Sequence, residues 1–113
     1  MTVEIQLTWT AVCPIGRLQP ERGAAALLGD VQVALVRTRD DAVYAIGNVD
    51  PFSGAAVLSR GIVGDRDGVP TIASPVFKQA FDLRTGACLD DPDVSVPTYP
   101  VRVTDGAVEV GLP

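Results

Sequence analysis

The most informative segment of the chain reads SPVFKQAFDLRTG and occupies residues 74–86. It opens with a Ser-Pro break after an apolar strand candidate at residues 69–73, extends again over residues 79–83 and turns at Thr85-Gly86. A second informative segment, AIGNVDPFSGAAVLSRG at residues 45–61, leaves another apolar strand and enters a loop rich in Gly, Asp, Ser and Pro. Long loops in a compact domain are usually functional or disordered, so these two segments are where we look for a site.

Short strand-like runs separated by turn residues occupy the rest of the chain. Gly29-Asp30 and Asp105-Gly106 are the strongest turn signals, and each predicts a hairpin. The strands predicted outside the two segments above cover residues 4–10, 24–28, 31–37, 42–46, 99–104 and 107–110, and residues 47–68 are predicted as one long loop. Eight or so strands of this kind predict an all-β fold, a small antiparallel sandwich or barrel, in a single domain spanning residues 1–113.

Composition excludes several classes of function. The chain has 113 residues, a formal net charge of −5 and no histidine. An acidic chain without a basic cluster is a poor ligand for phosphate backbones, so we expect no nucleic-acid partner. No apolar run approaches the ~20 residues needed to cross a bilayer, and the N-terminus lacks a secretory pattern, so we expect no membrane partner and a cytoplasmic location.

The absence of histidine removes the most common acid–base catalyst and every imidazole ligand. The two cysteines, Cys13 and Cys88, are expected to be free thiols in a reducing compartment. Asp50 and Asp82 could form an acid–base pair, but a structural role is the favoured interpretation. We therefore assign no catalytic, cofactor-binding or metal-binding residue to this chain.

Residues 74–86 resemble the second cluster-binding loop of Rieske ferredoxins, whose pattern is Cys-Pro-x-His-Gly. Ser74 takes the position of the cysteine, Pro75 matches the proline, Phe77 takes the position of the histidine and Lys78 that of the glycine. The tail of the pattern is matched by Phe81-Asp82-Leu83 and Thr85-Gly86.

Residues 45–61 resemble the first cluster-binding loop of the same family, in which the ligands form a Cys-x-His pattern. Leu58-Ser59-Arg60-Gly61 matches the downstream part of that loop. The ligand positions fall on Asp50 and Phe52, or on Pro51 and Ser53, depending on where one inserted residue is placed. Neither alternative supplies the two thiolates and two imidazoles that a Rieske centre needs.

Because both loops are Rieske-like but lack the cluster ligands, the chain most specifically resembles the small subunit of assimilatory NAD(P)H-dependent nitrite reductase. This resemblance implies a Rieske-like [2Fe-2S] ferredoxin fold without the cluster, in a chain that is not catalytic itself. It also implies a large-subunit partner that carries FAD, siroheme and an iron–sulfur cluster and reduces nitrite to ammonia. The alternative is a free-standing cluster-less module with a binding or regulatory role.

Four residues stand at the former ligand positions under the first alignment: Asp50, Phe52, Ser74 and Phe77. We predict that the two phenylalanines pack near each other and fill the volume that the metal would occupy. The competing interpretation is that the metal-free loop tips form a docking surface, with Arg60, Lys78 and Arg84 as rim contacts to the partner.

Overall fold

Antiparallel β-structure dominates the computed structural model, which describes residues 6–113. Two single-turn 3₁₀ helices, Ile15–Arg17 and Leu58–Arg60, interrupt the strands. The strands are β1 (Thr8–Pro14), β2 (Arg22–Leu28), β3 (Val31–Arg37), β4 (Val43–Gly47), β5 (Ile62–Arg66), β6 (Val69–Ala73), β7 (Ala80–Asp82), β8 (Thr98–Tyr99), β9 (Val101–Thr104) and β10 (Ala107–Leu112).

The strands form three open sheets in which every pairing is antiparallel. Their orders are β1-β10-β9, β2-β3-β4-β8 and β5-β6-β7. The all-β prediction is confirmed, and within residues 6–113 the sheets do not close into a barrel. The same part of the chain contains no helix long and apolar enough to cross a membrane.

The four-stranded sheet lies between two hydrophobic cores, because its central strand β3 is buried on both faces. Val33 and Leu35 pack into one core with Val108 and Val110 of β10. The alternate β3 residues, Ala34 and Val36, pack into the second core, whose other members include Ile72, Phe81 and Leu83 from the three-stranded sheet of β5, β6 and β7. Since successive side chains of a strand point to opposite faces, one strand can serve both cores.

Turn chemistry explains the hairpins. The β9–β10 hairpin turns at Asp105 and Gly106, with φ of 51° and 80°, and the β5–β6 hairpin at Asp67 and Gly68, with φ of 54° and 86°. Positive φ at both central residues is the signature of the type I′ turn, which suits the twist of the flanking strands. The predicted hairpin around Gly29 is also present, as β2 and β3.

Two predicted elements are corrected by the structure. The long loop predicted for residues 47–68 ends earlier, because β5 begins at Ile62. This strand is mostly exposed and polar, so it carries little of the apolar alternation by which a strand is recognised. The first strand was predicted for residues 4–10; β1 runs instead from Thr8 to Pro14, and the part of the prediction before residue 6 lies outside the described residues.

Candidate functional site: the two former cluster loops

Two loops meet at one end of the molecule. Loop 1 comprises residues 48–61 and follows β4, while loop 2 comprises residues 74–79 and connects β6 to β7. Asn48 closes the base of loop 1, because its backbone oxygen accepts the Leu58 amide at 3.1 Å and its side-chain oxygen accepts the Ser59 amide at 2.8 Å. Asn48 is buried, so these bonds satisfy polar groups that water cannot reach.

The loops are joined by a hydrogen bond between buried side chains. The Ser74 hydroxyl donates to Asp50 Oδ2 at 2.6 Å. Asp50 is 0% exposed and Ser74 is 1% exposed. In a Rieske centre the two thiolates bind the same iron, so the cysteine side chains converge. Contact between Asp50 and Ser74 therefore favours the alignment that places Asp50 and Phe52, rather than Pro51 and Ser53, at the ligand positions of loop 1.

Asp50 also organises its own loop. Its Oδ1 accepts the Phe52 amide at 2.9 Å, and its Oδ2 accepts the Ser53 hydroxyl at 3.0 Å. Burial raises the pKa of Asp50, but the hydrogen bonds from Ser74, Phe52 and Ser53 outweigh it and leave the pKa below its ordinary value. The carboxylate is therefore ionised at neutral pH, and hydrogen-bond donors compensate for its lost hydration.

Loop 2 is a tight turn around Ser74. The Lys78 amide donates to the Ser74 carbonyl at 3.0 Å, the Ser74 amide donates to Gln79 at 2.9 Å, and the Val76 amide donates to the Ser74 hydroxyl at 3.2 Å. Lys78 has φ of 64°. Its backbone thus holds the left-handed conformation that glycine adopts without strain, at the position where the Rieske pattern has glycine.

Gly61 brings the end of loop 1 against the start of loop 2. A Cβ atom built on Gly61 would lie 2.2 Å from the carbonyl oxygen of Ala73, the residue before Ser74. Real side chains do not approach a carbonyl oxygen so closely, so only glycine permits this backbone approach. This gives a physical reason for the glycine in the Leu58-Ser59-Arg60-Gly61 motif.

The prediction that Phe52 and Phe77 pack together is wrong. Phe52 packs against Phe81, with ring centroids 6.3 Å apart and planes inclined by 50°, and thereby joins the core. Phe77 is 58% exposed. The loops are tied by the polar contact between Asp50 and Ser74, and only one of the two rings contributes apolar packing.

The three predicted rim cations lie in different settings. Arg60 and Lys78 are exposed, on loop 1 and loop 2 respectively. Arg84 follows β7, and its guanidinium contacts both carboxylate oxygens of Asp82 at 3.3 Å. Arg84 also lines a groove with Arg39 and other residues that belong to neither loop. Arg60 and Lys78, but not Arg84, therefore belong to the two loops, and Arg60 ends the 3₁₀ turn just before β5, so only Lys78 lies at a loop tip.

The acidic residues Asp50 and Asp82 and the two thiols each lie in a different structural setting. Asp82 is engaged by Arg84, and burial, which raises its pKa, is outweighed by the Arg84 hydrogen bonds, so the pKa is lowered. Asp50 is fully enclosed. Cys88 is buried in the hydrophobic core and Cys13 lies in β1, and no group of three or more potential ligands is assembled in the described residues.

Comparison with known proteins identifies the family to which this chain belongs. Residues 8–111 match the family model of the Rieske-like [2Fe-2S] domain. The chain is 46% identical over 103 residues to the nitrite reductase (NADH) small subunit of Escherichia coli K12, covering 90% of this chain and 95% of that protein. This chain belongs to the nitrite reductase small-subunit family, within the Rieske-like group.

Two further relatives are similar to this nitrite reductase small-subunit chain over nearly its whole length. The crystal structure of an NADH-dependent nitrite reductase small subunit from Mycobacterium tuberculosis superposes with a TM-score of 0.93 at 56% identity, covering 96% of this chain and 98% of that one. The nitrite reductase [NAD(P)H] large subunit of Klebsiella oxytoca is 43% identical over 103 residues, which cover 91% of this chain and 11% of that protein.

A [2Fe-2S] cluster does not fit the residues of this family member, although the family model carries its name. In the alignment that places Asp50 and Phe52 at the ligand positions of loop 1, a carboxylate, a hydroxyl and two phenyl rings take the places of two thiolates and two imidazoles, and the other alignment supplies no Cys or His either. The sequence motifs located both loops, but they gave no signal for the Asp50–Ser74 hydrogen bond, because its partners are separated by 24 positions. The one hint was the first alignment, which placed Asp50 and Ser74 at the two cysteine positions.

Proposed function

We propose that this chain is the non-catalytic small subunit of an NAD(P)H nitrite reductase and acts through contact with the large subunit. The observation that carries the proposal is its 46% identity to the Escherichia coli small subunit over nearly the full length of both chains. The residue chemistry points the same way. The loops contain neither the thiolates nor the imidazoles that would hold a redox cluster. We therefore assign this chain a role in the reductase that is exerted through binding.

The Klebsiella oxytoca match supports the choice of partner. A region similar to this chain forms part of a polypeptide named as the large subunit. When two domains are part of one polypeptide, each has a high effective concentration near the other. Such linkage favours contact between the small-subunit-like region and the rest of the reductase. A chain encoded separately would reach the same arrangement by non-covalent association.

Three further parts of the proposal concern the setting of the chain. We place FAD, siroheme and an iron–sulfur cluster in the large subunit and none of them here. We place the chain in the cytoplasm, without a nucleic-acid or membrane partner. We also treat residues 1–113 as a single Rieske-like domain, which is supported by the way β3 of the four-stranded sheet contributes to both cores.

Co-expression with the large subunit of the same organism tests the proposal. The tagged chain is expected to retain a large subunit with flavin and siroheme absorption, and deletion of the chain should reduce nitrite-dependent NAD(P)H oxidation. If the large subunit is never retained and nitrite-dependent oxidation is unchanged by the deletion, the chain is a free-standing module and the proposal is wrong.

A further inference from the structure

An exposed apolar patch covers the tips of the two loops. We define this tip patch as Pro51, Pro75, Val76, Phe77 and Lys78, all of which are exposed. Val76 is 46% exposed and Phe77 is 58% exposed. The neighbouring side chains of Val76 and Phe77 leave apolar area in contact with water. Apolar area that is concentrated at one place on a protein marks a binding surface.

The tip patch is built on a rigid base. The buried Asp50–Ser74 hydrogen bond joins the two loops directly beneath it, and the turn around Ser74 is closed by backbone bonds from Lys78 and to Gln79. A surface that is already ordered loses little conformational entropy when it binds a partner. The backbone segment that carries Phe77 is therefore held by the turn itself.

Backbone strain coincides with the exposed ring. Lys78, directly after Phe77, has a left-handed backbone with φ of 64°. For a residue with a side chain this conformation costs roughly 1–2 kcal/mol. Four other residues with side chains also have a positive φ, so this conformation fixes the turn that presents Phe77 and is not by itself a mark of binding.

Charge distinguishes the tip patch from the rest of the molecule. The charged residues of segments 49–54 and 74–79 are Asp50 and Lys78. Asp50 is fully buried, so Lys78 presents the exposed charge of the tips on a protein of net charge −5. The complementary surface is accordingly apolar at its centre and carries a carboxylate at its rim.

We infer that the tip patch is the surface by which this chain docks on the large subunit of the reductase, with Phe77 as the central anchor and Lys78 as a rim contact. The inference rests on the proposed function for the identity of the partner. It rests on the exposure and charge of the loop tips for the location of the contact.

The test measures binding of the purified chain to the purified large subunit, for the wild type and for three single variants. Phe77→Asp is expected to weaken the affinity by about 30-fold or more, because truncation of an aromatic anchor at the centre of an interface has effects of that size. Lys78→Glu is expected to slow association several-fold and to reduce its dependence on salt. The matched control is Leu27→Asp on β2, since Leu27 is 69% exposed and lies outside both loops, and it should bind within twofold of the wild type.

A second measurement does not depend on the variants. Amide hydrogen exchange of the wild type should slow over residues 74–79 when the large subunit is added, and the hairpin that contains Leu27 should exchange as before. Thermal unfolding of Phe77→Asp shows whether the variant folds, and if it does not, the exchange experiment decides.

The outcomes separate the two proposals. If the wild type does not bind the large subunit, the proposed function itself is wrong. If the wild type binds and Phe77→Asp binds equally well, or if protection appears away from the loop tips, the partner stands and the tip patch is rejected. Concentration-dependent dimerisation of the free chain that is abolished by Phe77→Asp would assign the patch to a second copy instead, and would also overturn the inference.

Discussion

Asp50 is a buried carboxylate that carries its charge without a cation among its hydrogen-bond partners. Its oxygens accept hydrogen bonds from the Ser74 and Ser53 hydroxyls and from the Phe52 amide. Isolated buried charges are costly, and donors that point at the carboxylate offset that cost. At the scale of single residues, the two positions that correspond to cysteines form a polar pair that ties the loops together where a metal would otherwise do so.

Replacing Ser74 by alanine should lower the free energy of unfolding by about 1–3 kcal/mol, because a buried carboxylate loses a short, charge-assisted hydrogen bond. Urea denaturation monitored by tryptophan fluorescence measures the change. The exposed Ser95→Ala variant is the control and should stay within about 0.5 kcal/mol of the wild type. A loss for Ser74→Ala no larger than for the control would show that the pair contributes nothing to stability.

Acid should remove the contribution of Asp50 to stability. Its pKa is lower in the folded chain than the value of about 3.9 expected when unfolded. The unfolded state therefore binds more protons between the two values, and the stabilisation, complete above pH 4, is lost as pH falls through the folded pKa. Denaturation curves between pH 7 and pH 3 should show the wild type losing stability more steeply than Asp50→Asn. Parallel losses in the two proteins would contradict this account.

At the scale of elements, the Leu58–Arg60 turn and the start of β5 set the position of loop 1 against loop 2. The close approach of Gly61 to the Ala73 carbonyl brings the end of one loop to the start of the other. The strand that follows, β5, lies at the edge of its sheet and is mostly exposed. Its role in positioning the loops therefore depends on backbone geometry more than on buried side chains.

Alanine at position 61 should destabilise the protein by about 1–3 kcal/mol, since the new methyl group would press on backbone rather than on a flexible side chain. Gly64→Ala in the same strand is the matched control, because a Cβ there would meet Thr71 Oγ1 at an ordinary 3.6 Å. Calorimetric unfolding of both variants provides the measurement. Equal melting temperatures for Gly61→Ala and Gly64→Ala would show that loop 1 can shift without cost.

At the scale of the whole molecule, three sheets and two cores give the fold a source of stability that is independent of metal. Buried residues of β3 contribute to both cores, so the four-stranded sheet links the two halves of the structure. In proteins with structural metal sites the binding energy of the metal is part of the folding energy. Here hydrophobic burial and the loop hydrogen bonds supply that energy.

The purified chain should accordingly contain no iron above background and show no visible absorption band. Adding a strong chelator should leave its melting temperature unchanged, because no ligand set binds a metal that stabilises the fold. Iron analysis, a visible spectrum and a thermal melt with and without chelator provide the measurements. A visible band that disappears with the chelator, together with a lower melting temperature, would contradict the conclusion that the loop residues do not bind an iron–sulfur cluster.

The sequence predicted those features that depend on neighbouring residues. Gly29-Asp30 and Asp105-Gly106 specify tight turns through their backbone preferences, and apolar alternation marks the strands that bury a face. It missed β5, because an exposed edge strand does not need apolar alternation. It also paired Phe52 with Phe77, although the structure pairs Phe52 with Phe81.

The amino-acid sequence by itself determined the all-β class, the hairpins at Gly29-Asp30 and Asp105-Gly106, the two loops and the absence of the histidine ligands of a Rieske cluster, since each of these follows from residue type and local order. Only the tertiary structure decided that Asp50 meets Ser74, that Phe52 enters the core and that Phe77 stays in water. Such contacts join residues far apart in the chain, and they are selected by the packing of whole sheets, which local patterns do not encode.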